Sequence, residues 1–193
     1  MTTYELYLVL HIGGAIAWMG AGLVMVLLGL RATLARDGVQ AVAFARDSEW
    51  LGLRLFLPSN LLVLASALLL VHEGDLGFDQ LWIRLGIAGF AVSFLTGALF
   101  FAPGWGRVRK IAESEGADSP AVQAAMRRLA LGARLDLCLL FAVVFVMTVK
   151  PTSGEHGALA LAAAILAAFA ALSPVLFRVE GAAGPSYSPS ASR

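Results

Sequence analysis

Three stretches of this chain carry no Asp, Glu, Lys or Arg: those between Glu5 and Arg31, between Arg84 and Arg107, and between His156 and Arg178. Each can supply the roughly 20 residues that an α-helix needs to cross hydrocarbon. Two shorter stretches, from Arg54 to His72 and from Asp136 to Lys150, reach spanning length only by taking in the charged residue at their entrance. A charge at that depth has to be accommodated by a partner or by the headgroups. Composition points the same way, because 14% charged residues and 59% hydrophobic ones are far from the roughly 25% charged of a soluble domain. The expected fold is an all-α polytopic membrane bundle of five transmembrane helices, over residues 4–30, 50–72, 81–102, 129–149 and 157–177. The first four form a core of two hairpins, and the alanine-rich fifth is peripheral. Residues 1–178 make one transmembrane domain, and the Gly-, Ser-, Ala- and Pro-rich residues 179–193 are expected to be a disordered cytoplasmic tail.

Basic residues set the expected orientation. Arg31, Arg36 and Arg46 fall between spans one and two, and Arg107, Arg109, Lys110, Arg127 and Arg128 between spans three and four. The opposite loops hold Glu73, Asp75 and Asp79, or Lys150 with Glu155. Short loops rich in Lys and Arg stay in the cytoplasm, so the N-terminus is placed outside and the C-terminus inside, in the inner membrane of a bacterium. Met1 to Glu5 offers no basic leader region, and the first span is read as retained. The single cysteine, Cys138, excludes an intrachain disulfide and a multi-cysteine metal site. A net charge of +1 gives no reason to expect nucleic acid as a partner.

Between the spans, residues 31–48 alternate apolar and charged side chains as an interfacial helix would. Pro58 should bend span two, Pro103-Gly104 should end span three, and residues 104–120 should form a loop. Leu51-Gly52-Leu53-Arg54-Leu55 is echoed by Leu131-Gly132-Ala133-Arg134-Leu135, and Met19-Gly20-Ala21 by Thr96-Gly97-Ala98. A duplicated hairpin is one account of the echo. Gly89, Ser93 and Gly97, at four-residue spacing, mark a face of span three suited to close packing.

Polar residues at membrane depth are the place to look for function. Arg54 and His72 are 18 residues apart, five helical turns, and share one face of span two. Asp136 faces nearly opposite to Arg134, so it needs a cation from another helix. Arg54 is the candidate for that structural ion pair, and Arg134 is free to snorkel to the headgroups. All three histidines, His11, His72 and His156, are expected toward the outside. The face around His11 contains Gly14 and Trp18, with room beside the imidazole either for a flat cofactor or for another helix. Neutral imidazole is a ligand for haem iron, copper or zinc.

Leu10-His11, Trp18-Met19-Gly20, Glu49-Trp50-Leu51-Gly52 with Arg54, Phe56 and Pro58, Phe94-Leu95 with Gly97 and Leu99-Phe100, Ala133-Arg134-Leu135-Asp136 and Val149-Lys150-Pro151 together resemble a bacterial family. It is one of predicted integral membrane proteins of unknown function, frequent in actinobacteria, and the resemblance covers about residues 4–151. The first helix is also similar to copper-resistance D-type membrane proteins and to the HemJ type of protoporphyrinogen oxidase. The latter resemblance implies a haem role for His11.

Three readings follow from these residues. In the first the protein is a membrane oxidoreductase or electron carrier that binds haem b, with His11 and His72 as ligand residues and Trp18, Gly14, Arg54 and Arg134 around the cofactor. In the second it handles copper through His11, His72 and His156, with Met19, Met25 and Met147 as soft sites. In the third it is a non-catalytic subunit that pairs with another membrane protein or with itself in the lipid bilayer.

Overall fold

A computed structural model describes residues 1–152, Arg36 excepted, and scattered positions between 154 and 167. Within these residues the chain is all helical. Four helical rods are long and apolar enough to cross a membrane: Thr3–Leu34, Gly38–Glu73, Leu81–Glu115 and Pro120–Val149. The expected fifth span and the tail fall, apart from single positions, outside the described residues.

Helix α1 (Thr3–Ala35) starts in a capping box. The Thr2 amide donates to Glu5 Oε2 (2.7 Å) and the Glu5 amide to Thr2 Oγ1 (3.2 Å), which satisfies end groups that the helix itself leaves open. At 33 residues it is about 50 Å long, well beyond the roughly 30 Å of hydrocarbon. Helix α2 (Gly38–Leu51) is capped by Asp37, whose Oδ1 accepts from the Val39 and Gln40 amides at 2.9 and 3.3 Å. It runs on through a π-helical turn, Gly52–Phe56, into α3 (Leu57–Glu73). Span three repeats the plan: α4 (Leu81–Thr96), a π turn Gly97–Phe101, then α5 (Ala102–Glu115). Helix α6 (Pro120–Val149) is unbroken, with Ser119 as N-cap and proline in its first turn.

Both π turns have the same cause in the sequence. Each opens on a glycine and lies just ahead of a proline six residues later, Gly52 with Pro58 and Gly97 with Pro103. Proline cannot donate to the carbonyl four residues back. In both turns the preceding residue instead bonds five residues back, Leu57 N–H to the Gly52 carbonyl and Ala102 N–H to the Gly97 carbonyl. Two expectations are thereby corrected. Pro103-Gly104 does not end span three, because the π register absorbs the lost bond and the helix continues to Glu115. Residues 38–51 are not a separate interfacial helix but the first part of the rod that becomes span two.

The four rods run antiparallel in sequence. Helix α1 packs along α3 and α6, and α6 packs along α4. Helices α3 and α4 scarcely touch, so the arc α3–α1–α6–α4 has an open side among the described residues. Beyond the π turns the same two rods come together, α2 against α5. This closed end carries Arg31, Arg46, Arg107, Arg109, Lys110, Arg127 and Arg128, and we call it the basic end. Its core is that of a soluble bundle: Ala32, Ala41, Ala45, Trp105, Val108, Val122, Met126 and Leu129 cluster together. Gly38 is pressed against the loop before α6, where an added methyl group would overlap the Ala117 carbonyl. Its amide donates to Asp118 Oδ1 (2.9 Å), which ties the two loops of that end together.

Toward the other end the outward faces are as apolar as the inward ones. Ile16, Leu27, Leu61, Val92 and Leu99 are all more than half exposed, the pattern of helices solvated by lipid. The small-residue face of span three is divided in use. Gly86 and Gly89 admit Met147 and Val143 of α6, whereas Gly97 meets nothing. The five-residue echoes do not mark equivalent positions: Gly52 opens a π turn, while Gly132 sits in unbroken helix against Phe100.

Candidate functional site

The open side of the arc leads into a cavity of about 610 Å³. It lies between the π turns and the middle of α1 and α6. Gly52, Phe56 and Asn60 of span two face Ser93, Phe94 and Gly97 of span three across it. Trp18 and Gly22 close it from α1, and Asp136 and Leu140 from α6. The π turns shape this space directly, because their opening glycines leave the wall without side chains on two sides. Trp18 is held with its ring edge-on to Phe90 at 5.5 Å, packed with Val63 and Leu140.

Against this apolar lining stand a few polar atoms. Asn60 is 6% exposed and Ser93 is 3% exposed. Asn60 Nδ2 donates one N–H to the Phe56 carbonyl (2.7 Å), an acceptor only, which fixes the orientation of the amide and leaves Oδ1 as a free acceptor. Asn60 Oδ1, Ser93 Oγ and Asp136 Oδ1 are buried and make no hydrogen bond of regular geometry among the described residues, although the Ser93 hydroxyl lies beside the Asp136 carboxylate. Leaving such groups unmet costs about 1–3 kcal/mol each, and unmet groups in a cavity wall call for an occupant. Glu49 marks the basic-end edge of the cavity and is offset by Arg109 of α5 at 3.1 Å.

The residues singled out in the sequence are placed as follows. Arg54 and Asp136 are not paired. Arg54 is exposed, its guanidinium 5.4 Å from the Trp50 ring centre. The reason is the π turn, since one extra residue in a turn rotates what precedes it by about 100° and removes Arg54 from the face it would share with His72 in regular helix. Arg134 is 9% exposed and lies within the bundle rather than reaching outward. His11 is half-buried. Its Nδ1–H donates to the Val63 carbonyl (3.1 Å) and lies 3.3 Å from Ser66 Oγ, which itself donates to the Leu62 carbonyl (2.6 Å).

His11 thus docks α1 on α3, one level above the cavity and outside its wall. Gly14 is filled by the same neighbour: a methyl group there would stand 3.0 Å from Val63 Cγ2 and 3.4 Å from Leu62. The room expected beside the imidazole is therefore taken, on the Gly14 side, by a helix. His72, at the end of α3, is exposed and lies six residues past Ser66, about 9 Å along the axis. His156 is exposed beyond α6. No three His, Cys, Asp or Glu side chains gather as a metal site among the described residues, and Met147 is committed to packing on Gly86. The residues that sequence reading did not assign to a site are Ser93 and the glycines of the π turns. The signal available for the latter was the repeated glycine six residues ahead of a proline.

Apolar helices of spanning length, lipid-like outer faces and charged ends define a polytopic integral membrane protein. Residues 5–151 match a family described as Predicted integral membrane protein (DUF2269), and the chain belongs to that family. No curated protein and no solved structure is detectably similar to it.

Proposed function

We propose that the protein is an intramembrane binding protein, which takes a small lipid-soluble molecule from the acyl-chain region into the cavity between spans two and three. What carries the reading is the open side of the arc. Helices α3 and α4 stay apart at the level of an apolar cavity of about 610 Å³, the size of a small-molecule site, and the opening faces the hydrocarbon. The basic end is placed in the cytoplasm of a bacterial inner membrane by the distribution of Arg and Lys, with the N-terminus outside. The π turns border the opening in both rods, and such turns recur at functional sites in helices.

A direct test uses pyrene, an uncharged aromatic hydrocarbon, with the protein in lipid nanodiscs. Energy transfer from tryptophan should saturate at one pyrene per chain, because Trp18 and Trp105 both line the cavity. Gly22 lines the cavity, a methyl group there would only touch Leu137 at 3.9 Å, and Gly22→Phe should abolish the saturable part. Transfer that never saturates, or that Gly22→Phe leaves unchanged, refutes the reading.

The haem reading retains one supporting observation. An imidazole that donates through Nδ1 to a carbonyl presents Nε2 as a lone pair, the usual arrangement of a ligating histidine. A Soret band in the purified protein that His11→Ala removes would establish it, and a colourless preparation would leave His11 as the docking residue described above.

A further inference from the structure

The unmet polar atoms of the cavity wall share a chemical character. Asn60 Oδ1 is an acceptor, and the bond from Nδ2 to the Phe56 carbonyl fixes which end of the amide it is. Asp136 Oδ1 is a carboxylate oxygen, and no cation is paired with it among the described residues. Ser93 Oγ can accept as well as donate, and it comes from α4, which packs on α6 and sets Ser93 beside Asp136, with Asn60 of α3 on the other side of the opening. Arg134, though close in sequence to Asp136, does not line the cavity, and two other arginines are engaged elsewhere. Arg54 is turned outward onto Trp50, and Arg109 pairs with Glu49 at the cavity's far edge. A wall with acceptors from three helices and few donors selects an occupant rich in N–H.

We propose that Asn60, Ser93 and Asp136 form the head-group site for an amphipathic primary ammonium ligand. Its N–H groups donate to Asn60 Oδ1, Asp136 Oδ1 and Ser93 Oγ, and its apolar body lies along Trp18, Phe56, Phe94 and Leu140. This rests on the cavity reading and adds a ligand class to it. Two features favour the class over a neutral polar molecule. A carboxylate at membrane depth requires a countercharge, which an ammonium brings with it. Charge-assisted N–H···O bonds are also about twice as strong as neutral ones, so one head group offsets all three unmet oxygens together. A quaternary ammonium carries the charge without N–H and should fit poorly. The ammonium has two sources, a free alkylamine or the head of an aminophospholipid, and both present the same chemistry to the wall.

The test titrates dodecylamine, dodecyltrimethylammonium and pyrene into the full chain in phosphatidylcholine nanodiscs, read by Trp fluorescence. Dodecylamine should saturate at one per chain and bind at least about tenfold tighter than the trimethyl compound, the loss expected for bonds to a charged group. Asp136→Asn, nearly isosteric, should weaken dodecylamine by about tenfold or more, and far more than it weakens pyrene. Asn60→Leu and Ser93→Ala should each weaken it several-fold, and they carry the test if Asp136→Asn fails to fold. Replacing part of the phosphatidylcholine by phosphatidylethanolamine separates the sources: a weaker apparent dodecylamine affinity means the aminophospholipid competes, and no change means the free amine is preferred. Equal binding of the two dodecyl compounds, or full dodecylamine affinity in all three variants, overturns the ammonium site while pyrene binding keeps the cavity reading. Loss of pyrene binding in the unaltered protein overturns both.

Discussion

The two ends of spans two and three obey different rules. At the basic end α2 and α5 meet over Ala41, Ala45, Trp105 and Val108, and α1 and α6 complete that core with Ala32, Val122 and Met126. Ala45, Val108 and Val122 are wholly buried, and the caps Asp37 and Ser119 hold the helix starts. On the other side of the π turns the same two rods diverge, and Asn60, Ser93 and Asp136 keep unmet oxygens in the space between them. Apolar packing in water drives helices together, whereas lipid tails compete on equal terms with leucine for the same faces. A bundle can thus be locked outside the bilayer and left open within it. The π turns separate the two regimes in each rod.

The contrast is most severely strained by Val108→Asp, which places an unpaired charge in the fully packed basic-end core. We expect a loss of about 4 kcal/mol or more, visible as failure of the protein to accumulate in the membrane. A milder pair sharpens it. Met126→Ala at the basic end should lower stability by about 2–5 kcal/mol, measured by denaturant unfolding in detergent. Leu140→Ala, beside the cavity, should cost clearly less, because lipid or a ligand chain can fill the space that is left. Equal costs would mean that the two regions are packed alike.

The basic end and the first four spans were largely legible in the sequence, though the helices of spans two, three and four run past their expected boundaries at the basic end. Charge-free runs marked spans one and three, shorter runs that take in a charged residue marked spans two and four, and the Lys and Arg positions marked the end at which they gather. What misled was the proline rule: Pro103-Gly104 reads as a stop, but a helix can pass a proline when its register widens to a π turn. The same turn explains the lost Arg54–Asp136 pairing, since face arithmetic at 3.6 residues per turn fails across an inserted residue. The histidines were legible as polar groups and not as docking groups. The bond from His11 to the Val63 carbonyl depends on which backbone faces it, and that is a property of packing. Asp136 was recognised as needing a partner. That it would stand beside Ser93 in the wall of a cavity shared with Asn60 required the three helices to be set side by side.

Access from the bilayer is the claim on which the rest depends, and brominated acyl chains probe it most directly. In a variant that keeps Trp18 and has phenylalanine at Trp50, Trp82 and Trp105, lipids brominated near mid-chain should quench Trp18 strongly, and Gly22→Phe should remove most of that quenching by filling the cavity. Weak quenching of Trp18, unaltered by Gly22→Phe, would show that spans two and three are sealed against the acyl chains.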